Sequence, residues 1–263
     1  MSLVTIGLSV YNAEKYLYFA INSVLEQTYV NFEFIIIDDG STDGSVEIIK
    51  SFKDDRILFI SDGMNKGLPF RLNQIVELAK GDYVARMDAD DIMVLERIRI
   101  QIQLMKNNPE IDVLGTNAFS IDENNNVNGI KIKYEEKSIK IRNTKTFIHP
   151  TIIGKKEWFM KNPYDVKANR IEDAELWLRT VNKSVFKVYD MPLLYYRDFG
   201  ENYYKKYFNA LKSMPYLIKK NNYSIILILN AFKLFFIGLS LYVFNVFNKE
   251  NIIISKRTKK NVK

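Results

Sequence analysis

Apolar and polar positions follow two rhythms through the first hundred residues. Val4-Thr5-Ile6-Gly7-Leu8-Ser9-Val10 is an apolar run of strand length, and Glu14 to Glu26 then carries Leu17, Ala20, Ile21, Val24 and Leu25 at helical spacing. Phe32 to Ile37 predicts a second strand, followed by the turn Asp38-Asp39-Gly40-Ser41-Thr42-Asp43-Gly44 and a helix over 45–52. Arg56–Ile60 predicts a short third strand. Pro69 suits the first turn of a helix running to about Ala79, and Asp82–Met87 a fourth strand entering Asp88-Ala89-Asp90-Asp91. Strand alternating with helix predicts an α/β fold with a mostly parallel, doubly wound sheet.

The texture changes over 111–155. Val113–Phe119, Val127–Tyr134 and Phe147–Gly154 read as short strands of a mixed extension of the same sheet, around the turn-rich Asp122-Glu123-Asn124-Asn125-Asn126. Helical spacing returns at Ile171, Ala174, Glu175, Leu178 and Val181, and the chain from Glu201 is mostly helical.

Three polar clusters fall at ends of predicted strands: Tyr11-Asn12, Asp38-Asp39, and Asp88-Ala89-Asp90-Asp91. Open parallel sheets bind ligands beyond the carboxyl ends of their strands. Two carboxylates there can hold Mg2+ or Mn2+ and leave room for diphosphate oxygens. Asp-rich turns also cap helices, which would be the plainer account of a lone Asp-x-Asp. Three clusters at three strand ends favour a site.

Composition narrows the chemistry. Cys is absent and His149 is the single histidine, which excludes thiolate and multi-histidine metal sites and disfavours a histidine relay. Neither a G-x-G-x-x-G turn nor a G-x-x-x-x-G-K-[ST] loop is present. The net charge of +7 is unevenly placed: from Glu201 onward there are twelve Lys and Arg against two acidic residues, leaving 26 basic and 29 acidic residues in 1–200. A mildly acidic body is not that of a nucleic-acid enzyme, so no nucleic-acid partner is expected.

Taken together, Ser9-Val10-Tyr11-Asn12, Ile37-Asp38-Asp39-Gly40-Ser41-Thr42-Asp43, Asn65-Lys66-Gly67, Gly81-Asp82-Tyr83 and Asp88-Ala89-Asp90-Asp91 resemble the ordered signature of family 2 glycosyltransferases. The resemblance is close over about 3–105 and looser to about 198. It implies the GT-A fold and inverting transfer from a nucleotide-sugar donor, with a UDP-sugar expected. It implies that Ser9, Tyr11 and Asp39 hold the nucleoside, and that Asp88 and Asp90 bind the diphosphate through Mn2+ or Mg2+, Asp90 in direct contact. Arg71 is expected to reach the donor phosphates, although on a helix face it also reads as a solvated charge. Glu172-Asp173 resembles the family's later E-D motif, with Asp173 as catalytic base and Glu172 beside it in the substrate site. Without the resemblance, both are ordinary helix-start acids. Trp177 is either a stacking surface for a sugar or a core residue. His149-Pro150-Thr151 also resembles a family feature, and His149 stays outside the catalytic set.

The expected organisation is a catalytic domain over 1–200 (a nucleotide-sugar half, 1–105, and an acceptor half, 106–200) and a basic, aromatic-rich helical tail over 201–263. Within the tail, 224–248 is strongly apolar but interrupted by Asn230 and Lys233, with Tyr203-Tyr204-Lys205-Lys206-Tyr207 before it and Lys256-Arg257-Thr258-Lys259-Lys260 after. This pattern predicts helices lying in an anionic membrane leaflet, ahead of a tilted span or a protein-docking surface. No signal peptide pattern precedes Lys15, so a cytoplasmic enzyme peripheral to the inner face of the membrane is expected. The acceptor is expected to be a glycan or lipid-linked glycan in bacterial surface polysaccharide synthesis. A nucleotidyltransferase acting on sugar phosphates and a catalytically silent glycan-binding relative are the alternatives.

Overall fold

A computed structural model describes residues 1–132, 147–198 and 203–247, with Lys249 and Ile253. Strands β1 (Val4–Val10), β2 (Phe32–Asp38), β3 (Ile57–Ser61) and β4 (Tyr83–Met87) lie parallel in the order β3-β2-β1-β4. Between them run helices α1 (Glu14–Leu25), α2 (Ser45–Ser51) and α3 (Leu68–Leu78). The β2 run is apolar throughout because both its faces are covered. Phe34 and Ile36 pack with Leu17, Ala20 and Ile21 of α1, while Ile35 and Ile37 pack with Leu72, Ile75 and Val76 of α3.

The sheet continues as β4-β8-β6-β9-β5, with β7 (Val127–Lys131) beside β6 (Val113–Ile121). Here β8 (Ile153–Lys155) runs antiparallel to β4 and β6, and β9 (Phe186–Arg197) runs parallel to β6 and antiparallel to β5 (Ile92–Met93). Helices α4 (Arg97–Asn107), α5 (Lys156–Lys161) and α6 (Glu172–Thr180) complete this half. The mixed extension predicted for 111–155 is present; α4 and β9 add to the predicted elements. The strand predicted over Phe147–Gly154 is instead a tight 3-10 turn, His149–Thr151, leading into β8. Pro150 has no N–H for a ladder, and Thr151 Oγ1 donates to Ile148 O (2.7 Å) while accepting from Thr116 N (3.0 Å). The strand predicted over Val127–Tyr134 is β7 to Lys131; 133–146 lie outside the described residues.

Beyond residue 203, α7 (Tyr204–Lys220) and α8 (Ile225–Val246) form a hairpin. Helix α7 begins after the expected boundary at residue 200, yet it packs closely on the catalytic half. Met214 and Leu217 of α7 and Leu227 of α8 bury Ala168 and Ile171, and Lys220 pairs with Asp165 (2.5 Å) and Glu175 (2.8 Å).

Gly81, just before β4, shows how closely this sheet is built. A Cβ there would lie 2.6 Å from Thr5 N and 2.8 Å from Leu3 O, both backbone atoms that cannot swing aside. Gly81→Ala should therefore lower stability by about 1–3 kcal/mol, the usual cost of overpacking. Urea unfolding followed through the buried Trp158 and Trp177 would measure it.

Candidate active site

The strand ends converge on a cleft with three parts. The first is built from β1 and β2. Asp38 anchors its own turn, accepting from Gly40 N, Ser41 N and Ser61 Oγ at 3.0–3.4 Å. Asp39 reaches across to the next loop, accepting from Lys66 N (2.7 Å), Gly67 N (3.0 Å) and Arg71 Nε (2.8 Å). Gly40 has φ +78°, and a Cβ there would meet Asn65 N and Met64 C at 2.9 Å, so this loop crossing requires glycine. Half-buried Ser9, next to last in β1, is in register with Ile37, and Tyr11 follows the strand with 52% exposure.

Arg71 does not face the donor phosphates as expected. It is 0% exposed, bound to Asp39, to Asp62 (2.6 Å) and to Met64 O (2.6 Å). Helix α3 turns it inward, and its hydrogen-bonding capacity is spent on holding the loop of Asp62–Gly67 against Asp39.

The second part is the end of β4. Asp88, Asp90 and Asp91 each offer a carboxylate oxygen, all within 4.8 Å of one another. Asp91 is buried; Oδ1 accepts from Arg197 N (2.8 Å) and Oδ2 has no partner. Asp90 is exposed at its surface yet closely surrounded by protein. That desolvation, with the charge of Asp88, pushes it up to about 6. Crowded like charges and an unpartnered oxygen fit a divalent, oxygen-seeking cation such as Mn2+ or Mg2+, with Asp88 and Asp90 as its accessible ligands.

The third part is the start of α6. Glu172, Asp173 and Glu175 occupy its first turn, where the helix dipole favours negative charge. Asp173 is half-buried and accepts from Ala174 N at 2.7 Å. Glu172 is buried with Oε2 unpartnered. Burial first, and then the charge of Asp173, push it up to about 7.

Arg86 joins the second and third parts, and it is absent from the residues expected from sequence. Its guanidinium pairs bidentately with Asp88 (Nη2–Oδ1 2.6 Å, Nη1–Oδ2 3.3 Å), and its charge also acts on Glu172 and Asp173. The available signal was an arginine inside the otherwise apolar strand Tyr83-Val84-Ala85-Arg86-Met87. Lys206 of α7 is a second addition: Nζ donates to Tyr196 OH (2.9 Å), and its charge lowers the Asp90 carboxyl against the burial that raises it. No local pattern could bring residue 206 beside residue 90.

Trp177 resolves in favour of the core. It is 1% exposed and packs against Phe147, Trp158 and Phe186, so neither ring face is open to a sugar. His149 is buried too, with Nε2 2.8 Å from Tyr164 OH, and burial lowers its pKa well below the usual histidine value. It stays neutral.

This is the GT-A fold, a parallel sheet extended by a mixed half. The model of glycosyl transferase family 2 matches residues 5–165, and the chain belongs to that family; it is a glycosyltransferase. An uncharacterized glycosyltransferase of Methanocaldococcus jannaschii is 33% identical, covering 93% of this chain and 89% of the relative. The Escherichia coli UDP-Glc:alpha-D-GlcNAc-diphosphoundecaprenol beta-1,3-glucosyltransferase WfgD is 31% identical over 67% of this chain and 68% of its own. Among solved structures, a Pyrobaculum calidifontis mannosyltransferase in complex with GDP-Man and Mn2+ superposes with TM-score 0.63 at 13% identity. That match covers 82% of this chain and 64% of the mannosyltransferase.

The raised Glu172 gives a pH signature. Its ordinary carboxyl value is 4.5 and its folded value about 7, so the native state binds the extra proton between them. Stability should therefore fall as pH rises from about 4.5 to about 7. Melting curves across this range should show a flatter pH profile for Glu172→Gln than for the parent.

Proposed function

We propose that the chain transfers one sugar, with inversion, from a UDP-sugar to a hydroxyl of a lipid-linked glycan during surface polysaccharide synthesis. The observation that carries this reading is the meeting of Asp88-Ala89-Asp90 and Glu172-Asp173 around Arg86 at one end of the sheet. Ser9 and Tyr11 line the nucleoside side, and Asp39 shapes it through the loop it holds. Asp88 and Asp90 would hold a divalent cation, which would supply positive charge against the departing diphosphate. Asp173 removes the acceptor hydroxyl's proton as that oxygen attacks the anomeric carbon from the opposite face. Glu172 is the poorer base candidate because it is buried whereas Asp173 is only half-buried; its part is to set the local charge. The UDP-glucose donor and diphosphoundecaprenol-linked acceptor named for WfgD support the donor and acceptor classes.

Asp173→Asn keeps size and shape but cannot accept the proton. Turnover should fall roughly 10²–10⁴-fold, with donor affinity little changed, whereas Glu172→Gln should cost less. Steady-state kinetics on both variants check this. Equal modest losses would reduce both acids to helix capping.

A lipid-linked acceptor calls for an enzyme at the membrane, and α8 supplies the surface. It is long and apolar enough to cross a bilayer. Its outer face carries Ile225, Leu229, Phe232, Phe236, Leu239, Val243 and Val246, spaced alternately four and three apart and all exposed. Lys233 and Ser240 lie on the exposed side as well, which suits a helix lying in the interface with its lysine reaching the headgroups. The terminal cluster Lys256, Arg257, Lys259 and Lys260 lies outside the described residues and adds cations by sequence. Replacing Phe232, Phe236 and Leu239 with Gln should abolish flotation with anionic vesicles. Turnover of a detached, water-soluble acceptor should persist, since none of the three touches the cleft.

A further inference from the structure

We infer that Arg86 competes with the divalent cation for Asp88, and that cation binding releases its guanidinium toward Glu172 and Asp173. The inference rests on the proposed metal-dependent transfer and adds an ordered exchange of ion pairs within it.

Four observations carry it. Arg86 is nearly buried on β4, so it cannot escape to solvent when its partner changes. Both of its terminal nitrogens are engaged with Asp88, occupying the oxygens a cation would need. Its Nε has no hydrogen-bond partner, and neither does Glu172 Oε2, so a donor and an acceptor are both left unmet in one electrostatic neighbourhood. The backbone of Arg86 is meanwhile fixed, with N donating to Ile152 O (3.0 Å) and O accepting from Arg97 Nη2 (3.0 Å). The main chain is clamped while the guanidinium sits on Asp88 within the electrostatic reach of Glu172 and Asp173.

Two positive groups on one carboxylate repel each other, so a cation at Asp88 weakens the hold on Arg86. The guanidinium then gains by turning to the acids of α6, where a buried, unpaired carboxylate is costly. Arg86 is thus a positioning residue: it keeps Asp88 compensated before the cation arrives and the base region compensated afterwards. The consequence is a split that ordinary structural damage would not produce.

The test is direct Mn2+ titration, by electron paramagnetic resonance of free Mn2+, of the full-length protein, Arg86→Gln and Arg86→Lys. Turnover at saturating Mn2+ is measured alongside. Arg86→Gln should bind Mn2+ several-fold more tightly yet turn over at least tenfold more slowly. Arg86→Lys cannot make the bidentate pair, so it too should bind Mn2+ more tightly, while its retained charge should recover part of the turnover. Should the glutamine variant fail to fold, the lysine variant carries the same comparison. Unchanged or weaker Mn2+ binding in a folded variant would overturn the exchange while leaving the proposed function standing. Absence of Mn2+ binding in the parent protein would overturn both.

Discussion

Carboxylates can be gathered at one edge of a sheet only if cations hold them there, and this requirement organises the molecule. Asp39, Asp88, Asp90, Asp91, Glu172 and Asp173 stand at the strand and helix ends around one cleft. Left unpaired and desolvated, such groups would protonate or push the loops apart. The compensating charges are rooted in regular structure: Arg71 in α3, Arg86 in β4 and Arg197 in β9. Arg97 of α4 sits beneath them, fully buried, its pKa brought down to about 9 by desolvation, and grips the carbonyls of Arg86 and Ile152. Because the cations are anchored in helices and strands, the acidic loops inherit the rigidity of the sheet.

The cleft is not uniformly satisfied. At the ends of β1 and β2, Asp39 has its acceptors filled by Lys66, Gly67 and Arg71, giving a finished wall. At the end of β4 and the start of α6, Asp91 Oδ2, Glu172 Oε2 and Arg86 Nε are buried without partners. Each such group costs about 1–3 kcal/mol, a cost a fold bears more readily where a bound ligand changes the local pairing. The contrast separates a fully paired wall at Asp39 from a region of unmet polar groups at Asp91, Glu172 and Arg86.

The C-terminal helices belong to this economy of charge as well as to the surface. Helix α7 places Lys206 over the rings of Tyr196 and Tyr203 and within the field of Asp90. Its other end is tied to Asp165 and Glu175 by Lys220. Helix α8 packs on α7 through Leu227 and Leu241 and turns its apolar stripe outward. The apolar stripe of α8 is thereby joined, through α7, to α6 and so to the end of the cleft that carries Glu172 and Asp173.

Local pattern alone determined the parallel half of the fold. The apolar runs of β1, β2 and β4 and the 3.6-residue spacing of α1 are properties of contiguous residues, and Asp39, Asp88 and Asp90 follow because they sit where those runs stop. Pattern alone failed where the deciding partner is remote in sequence. Arg71 looked like a charge on a helix surface, yet α3 turns it onto Asp39 and Asp62, and burial changed its role from binding a phosphate to holding a loop. Trp177 lay one turn from Asp173, but the packing of Phe147, Trp158 and Phe186 closed it into the core. Phe147–Gly154 had a strand's apolar content, and Pro150 with the Thr151 hydroxyl made a turn of it. Arg86 and Lys206 acquire meaning only when β4, α6 and α7 meet. Hydrophobic periodicity is written in neighbouring residues and can be read there, whereas the worth of a charge depends on distance and dielectric, which only the folded chain decides.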